Sequence, residues 1–308
     1  MSKDSKVPWA HHTLAPWLVC SKVDACCTNC YSEAMTGKFY SARIREAYRL
    51  AGIDDYDTRP VWGDHAPRVL TQGFSDGVER LNRAAAKAGE RRRIFMSLID
   101  PFDAMPAGAI TLDGHWMARS ACLLRVVNAI RSSPCLDWLL LTKRPQLWRP
   151  GLELLVKECR SPLDADAVAW ARSWLGGKAP PNVWFGYTAG TAREWRERHD
   201  IAKHIPALVT WCSAEPLLEP FGFSELLQDE EVSCSHYLDW IVVGGESGPS
   251  FRDRGVDLLI NLVRDAQAHQ CAVWFKQDYG RKPDKQGRIP DDLWALKELP
   301  LGAGICAH

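Results

Sequence analysis

Seven continuous apolar runs, each ending abruptly on polar residues, constrain this chain more than any other feature. With their polar ends they read Leu14–Val19, Arg93–Asp100, Asp137–Pro145, Asn182–Thr188, Ala207–Pro216, Asp239–Gly248 and Ala272–Gln277. Unbroken apolar strands, as opposed to alternating ones, are buried on both faces. Helical stretches separate them: Tyr31 to about Ala51, Phe74–Ala88, Gly114–Arg131, Gln146–Cys159 and Leu163–Trp174. A further helix opens on the capping box Thr191-Ala-Arg-Glu194. The last, Val256–Ala268, places Val256, Leu259, Ile260 and Val263 on one face. Strands and helices in alternation predict a parallel sheet with right-handed crossovers. Seven such units are too many for a comfortable flavodoxin-type sheet. The expected architecture is α/β: a complete or partial (β/α) TIM-type barrel, one domain over residues 1–308 with an irregular tail from about 279.

Barrel enzymes place their chemistry on the loops at the C-terminal ends of the strands. Those ends carry Ser97, Asp100 and Asp103; Thr142, Lys143 and Arg144; Thr188; Ser213 and Glu215; Gly244, Gly245, Glu246 and Ser247; and Lys276 and Gln277. Strands end where solvent begins, so polar residues are expected there in any case. Three of them carry charge to the mouth of a buried strand and are candidate catalytic groups: Glu215 before Pro216, Glu246 after a Gly-Gly pair, and Lys276 after four apolar residues. Gly244 and Gly245 suggest close approach of a ligand to the backbone.

After the first strand comes a loop with Cys20, Cys27 and Cys30 in the spacing C-x6-C-x2-C. Thiolates select zinc, copper(I) or iron–sulfur clusters. A closed zinc site wants four protein ligands, and downstream there is no second C-x2-C or H-x3-H element. A [4Fe-4S] cluster on three cysteines keeps one iron open, the arrangement needed to bind S-adenosylmethionine (SAM) and cleave it reductively. Cys26 is expected to stay out of the ligand set, because adjacent side chains diverge and Cys27 forms the compact turn with Cys30. The other seven cysteines, Cys122, Cys135, Cys159, Cys212, Cys234, Cys271 and Cys306, stand singly and read as ordinary core or surface residues of a reducing compartment.

Composition bounds the remaining classes. With 46% hydrophobic residues the chain can bury a sizeable core, and its 38 basic and 38 acidic side chains cancel. No global basic field steers it to nucleic acid or to a membrane surface. The N-terminus has no apolar signal region and no run is long enough to span a bilayer, so a cytoplasmic protein without membrane contact is expected. Most of the 14 Trp residues are expected to pack the core.

The motifs together carry a resemblance. Cys20-x6-Cys27-x2-Cys30-Tyr31, Met96-Ser97 with Asp100-Pro-Phe-Asp103, Leu141-Thr142-Lys143-Arg144-Pro145, Asn182-Val-Trp-Phe-Gly186, Ser213-Ala-Glu215-Pro216-Leu, Val243-Gly-Gly-Glu246-Ser-Gly248 and Phe275-Lys276-Gln277 occur in order over nearly the whole chain. The chain resembles the bacteriophage-type three-Cys-motif family, largely uncharacterised proteins similar to radical-SAM enzymes. The spacing departs from the usual C-x3-C-x2-C, and the Gly-Gly-Glu string ends the sixth strand instead of the second. The resemblance implies a radical-SAM-like barrel in which Cys20, Cys27 and Cys30 hold a [4Fe-4S] cluster. Ser97, Asp100, Thr142, Lys143, Ser213, Gly244 and Gly245 are then candidates to bind SAM, with Glu215, Glu246 and Lys276 for catalysis. A reductant protein is the implied partner, and a nucleobase, nucleotide or nucleic acid is the substrate class that a phage-type setting suggests. Two other readings are a zinc-binding barrel enzyme acting on nucleic acid and a non-catalytic phage accessory protein; iron and sulfide against zinc separates the first two.

Overall fold

Seven parallel strands build the central sheet: β1 (His12–Leu14), β2 (Arg92–Met96), β3 (Leu136–Thr142), β4 (Val183–Thr188), β5 (Val209–Ala214), β6 (Trp240–Gly244) and β7 (Ala272–Gln277). A computed structural model describes residue 5, residues 7–226 and residues 238–300. Cys234 and Cys306 lie outside the described residues. The strands are ordered in space as they are in sequence, each one parallel to the next. Right-handed crossovers that always step the same way put every crossover helix on one face and curl the sheet. The result is a partial (β/α) barrel.

The outer face packs against α3 (Phe74–Ala88), α4 (Arg119–Arg131), α5 (Trp148–Glu158), α6 (Ala165–Leu175), α7 (Ala192–Ala202) and α8 (Val256–Ala268). It contributes Trp138 and Leu140 of β3, Phe185 and Tyr187 of β4, and Ile241 and Val243 of β6. The alternate residues face the hollow, where Leu139, Trp184, Trp211 and Trp240 form a second core with Trp9 from the N-terminal segment. The Trp9 ring lies edge-on at 5.5 Å from Trp211 and 5.8 Å from Trp240. Each such pair adds about 0.5–1.5 kcal/mol to what burial supplies. Because the strand period is two, the inward residue after Phe95 is Ser97, after Trp211 it is Ser213, and after Trp274 it is Lys276. The hollow therefore has an apolar floor and a polar rim.

The first strand lies two residues earlier than its apolar run predicts. Pro16 cannot donate to a ladder, and it divides the run into β1 and a second short strand, Trp17–Leu18. That piece joins Arg68–Leu70, Ala109–Ile110 and Trp116–Met117 in a separate four-stranded sheet, which the sequence does not announce. The helix expected from Tyr31 to Ala51 is two helices, α1 (Tyr31–Phe39) and α2 (Ser41–Leu50), broken at Tyr40, whose backbone leaves the helical region at φ −122° and ψ −8°. Helix α4 starts at Arg119 and not Gly114, because the residues before it belong to the small sheet. The small sheet packs on α2 through Val19, Ile44, Ala47, Tyr48, Val69 and Ile110. Past residue 279 the chain makes few regular elements, yet it returns along β7, where Phe275 N donates to Leu296 O at 3.0 Å and Glu298 N to Val273 O at 2.9 Å.

Candidate active site

A cavity of about 870 Å³ fills the polar end of the hollow, within the ~300–1,000 Å³ of typical ligand sites. Cys20, Cys27 and Cys30 all line it, as do Ser97, Asp100, Thr142, Lys143, Ser213, Glu215, Gly245, Glu246 and Lys276. Every rim residue named from the sequence except Asp103 and Gly244 thus meets in one space.

The cysteine loop is fastened at both ends. Asp24 caps the 3-10 turn Ala25–Cys27, its carboxylate accepting from Cys26 N at 2.8 Å. Arg198 of α7 donates to the other Asp24 oxygen and to the Thr188 carbonyl at 2.6 Å. Cys26 borders the cavity too, and its thiol donates to Glu194 Oε2 at 3.5 Å beside the Pro216 carbonyl. Burial holds the Cys26 thiol above its ordinary pKa, with the Asp24 and Glu194 carboxylates adding to the effect against Lys143. A protonated, hydrogen-bonded thiol packed against Gly190, whose missing Cβ would lie 2.3 Å from Cys26 Sγ, is an anchor. Asp24, Cys26 and Glu194 are also the trio whose ligand atoms fall within 4.8 Å of one another among the described residues. Arg198 already supplies the cation there, 4.0 Å from Glu194 and paired with Asp24.

On the other side, Asp100 organises the end of β3. It accepts from Thr142 Oγ1 at 2.7 Å, Lys143 N at 3.1 Å, Arg144 Nη1 at 3.2 Å and Phe102 N at 2.9 Å. The Arg144 guanidinium continues to the Ser21 carbonyl at 3.0 Å and lies 4.0 Å from Cys20 Sγ. Burial, reinforced by Asp100 and Asp103, pushes the Cys20 thiol up to about 12. Behind Ser21, the fully buried Arg68 bridges the small sheet to Asp103 through two bonds of 2.8 and 2.9 Å and donates to Ser21 Oγ at 2.5 Å. Lys143 lies near the other sulfurs: burial alone would lower its pKa, and its neighbours Cys27, Cys26, Asp24 and Cys30 raise it overall.

Across the cavity, Lys276 Nζ lies 2.7 Å from Glu215 Oε1, and Ser213 Oγ donates to Glu215 Oε2 at 3.2 Å. Glu215 and Lys276 come from the ends of β5 and β7, with β6 between them, and they meet because Gly244 has no side chain. A Cβ there would stand 3.0 Å from Glu215 Oε1. At Gly245 it would stand 2.4 Å from Tyr279 N. The glycine pair makes room for protein groups on both sides. Burial would lower the pKa of Lys276, and Glu215 outweighs it, so the ammonium is held above its ordinary value.

A family profile described as "Protein of unknown function (DUF5131)" matches residues 4–292. The chain belongs to the DUF5131 family. No curated protein and no solved structure matches it significantly.

Glu246 occupies a different setting in this DUF5131 chain. It accepts from Arg252 at Nε (2.9 Å), Nη2 (2.7 Å) and the backbone N (2.8 Å), and from Asn29 Nδ2 at 3.2 Å. Arg252 Nη2 also donates to Ala25 O at 2.9 Å, so this carboxylate ties β6 to the cysteine loop. Burial would raise its pKa; the Arg252 and Asn29 donors overcome that and lower it from 4.5. A depressed folded-state pKa contributes stability that is present above the unfolded value and lost as pH falls through the folded one. Glu246→Gln is therefore expected to cost about 1–3 kcal/mol at pH 7. Urea titrations should show the gap from wild type closing as pH drops below 4.5; a gap independent of pH would show that the carboxylate charge contributes nothing.

Sequence reasoning missed Asp24, Arg68, Glu194, Arg198 and Arg252 as parts of the site. Only Glu194 carried a signal, its capping box. That box forms, with Glu194 Oε2 accepting from Gly190 N at 2.8 Å and Thr191 N at 3.2 Å, but it gives no hint that the same oxygen also takes the Cys26 thiol.

Proposed function

We propose that this cavity is the site of a radical-SAM-like enzyme, with Cys20, Cys27 and Cys30 holding a [4Fe-4S] cluster. The observation that carries this reading is that all four cysteines of the loop border one large rim cavity and that one of them, Cys26, gives its thiol to Glu194, which leaves Cys20, Cys27 and Cys30 as the ligand set. A single zinc ion bound at about 2.3 Å would gather its sulfurs to within about 4 Å of one another. Among the described residues Cys20, Cys27 and Cys30 form no set within 4.8 Å. A cluster, whose cysteines bind separate irons, does not require that gathering. When bound, the cluster and SAM supply reductive cleavage of SAM, the electron coming from a reductant protein.

The chain's own residues supply binding and charge. Lys276 and Glu215 present a cation and an anion side by side, matching the carboxylate and ammonium of an amino-acid end such as that of SAM. Ser97 and Ser213 add hydroxyls to the same wall, and the apolar floor under Trp9 and Phe95 excludes water from below. The volume left above these groups is where a substrate of the nucleobase or nucleotide class is accommodated.

The test is anaerobic purification followed by iron, sulfide and zinc analysis and a SAM-cleavage assay on reduced protein. Brown protein with iron and sulfide that cleaves SAM is expected; colourless protein with stoichiometric zinc would overturn the reading. Glu215→Gln is expected to keep the fold and the iron content while lowering SAM cleavage at least tenfold. Full activity in that variant would remove Glu215 from the binding set.

A further inference from the structure

The two cations at the end of β3 are not arranged as a ligand-binding pair. Arg144 is fixed on three sides, by Asp100 at 3.2 Å, by the Ser21 carbonyl at 3.0 Å and by its own backbone N–H on Thr142 Oγ1 at 2.8 Å. It is buried, and the Nη1 that meets Asp100 is also the atom 4.0 Å from Cys20 Sγ. Its neighbour Lys143 has its backbone N–H on the same Asp100 oxygen, Oδ2, and its side chain in the cavity, near Cys27, Cys26 and Cys30. One short turn therefore delivers a cation to each side of the sulfur set.

We propose that Arg144 is a positioning residue for Cys20, holding its sulfur as a charge-assisted donor, and that Arg144 and Lys143 together offset the negative charge that three thiolates carry into the cavity. This rests on the cluster reading above. Hydrogen bonds to cluster sulfurs and nearby net charge are the protein's means of setting a cluster's reduction potential. Removing a fixed cation makes addition of an electron harder, so the potential falls. It also removes the donor that keeps Cys20 in place, so iron leaves faster.

The experiment compares wild type, Arg144→Gln, Arg144→Lys and Lys143→Gln, each reconstituted anaerobically with iron and sulfide. Two quantities are read: the midpoint potential by EPR-monitored redox titration, and the rate of iron release to a chelator. Arg144→Gln should lower the midpoint potential and release iron about tenfold faster than wild type. Lys143→Gln should lower the potential with a smaller effect on release, since it holds no sulfur by a directed bond. Arg144→Lys should recover the potential more than the release rate. Wild-type potential and release in Arg144→Gln, with full cluster content, would overturn the proposal and leave the cluster reading standing. If Arg144→Gln takes up no cluster, Arg144→Lys decides: restored content supports the cation, and continued absence with an unchanged near-UV spectrum overturns it. A wild-type protein that takes up no iron and sulfide would overturn both.

Discussion

Replacing Cys20, Cys27 or Cys30 singly with alanine is expected to abolish cluster binding, whereas Cys26→Ser retains it. Two thiolates do not hold a cubane against loss, and among the described residues the remaining thiol of the cavity lining, Cys26, is hydrogen-bonded to Glu194. Cys26 is the only other cysteine of the loop, and its sulfur donates to Glu194 at 3.5 Å. Serine keeps a donor for Glu194 and nearly the same volume, so Cys26→Ser should lose less than about 1 kcal/mol of stability. Iron and sulfide per chain after anaerobic reconstitution is the measurement. Full iron in any of the three alanine variants, or loss of the cluster in Cys26→Ser with a native fold, would reverse the ligand assignment.

The largest stability effect is expected at Asp103. Its carboxylate and the Arg68 guanidinium are both wholly buried and bound to each other through two hydrogen bonds. Asp103→Ala leaves an uncompensated cation in the interior, which costs about 3–5 kcal/mol. Replacing both, as Arg68→Met with Asp103→Leu, should recover much of that loss, since a buried pair contributes little over apolar groups of similar size. Guanidinium titrations of the single and double variants provide the comparison. Because Arg68 also binds Ser21, the single variant should loosen Cys20 as well, and chelator-driven iron release should accelerate alongside the drop in stability. A single variant as stable as wild type would mean that water reaches Arg68.

How much of this was legible depends on whether the information was local. The strands β3 to β7 and the helices Phe74–Ala88 and Val256–Ala268 were readable because each is a run long enough for its period to show. The rim followed from them, since a buried strand has to end on polar residues somewhere. The small sheet was not readable: its strands are two or three residues long, too short to display a period, and Arg68 within one of them resembles a surface residue until Asp103 is known to lie beside it. The same reason hid Arg198 and Arg252, which no local pattern in the sequence marks out. Lys143 and Arg144 were located correctly at a strand mouth, but what they face is set by a loop more than a hundred residues away. The role of the glycine pair was likewise a matter of tertiary neighbours, because nothing local tells a ligand approaching Gly244 from a Glu215 side chain doing so.

The partial barrel has two free borders, and an exposed border of a parallel sheet is a template on which another chain can add itself. At β7 that template is taken up from within. The returning segment lays Lys297 opposite Trp274 in an antiparallel bridge, and Glu298 O accepts the Trp240 indole N–H at 3.0 Å from the neighbouring strand. A closed barrel protects its seam with an eighth strand that itself needs a helix and a crossover. This fold covers it with three residues of tail, Leu296, Lys297 and Glu298, so the outermost strand of the sheet is paired by a segment that contributes no strand of its own.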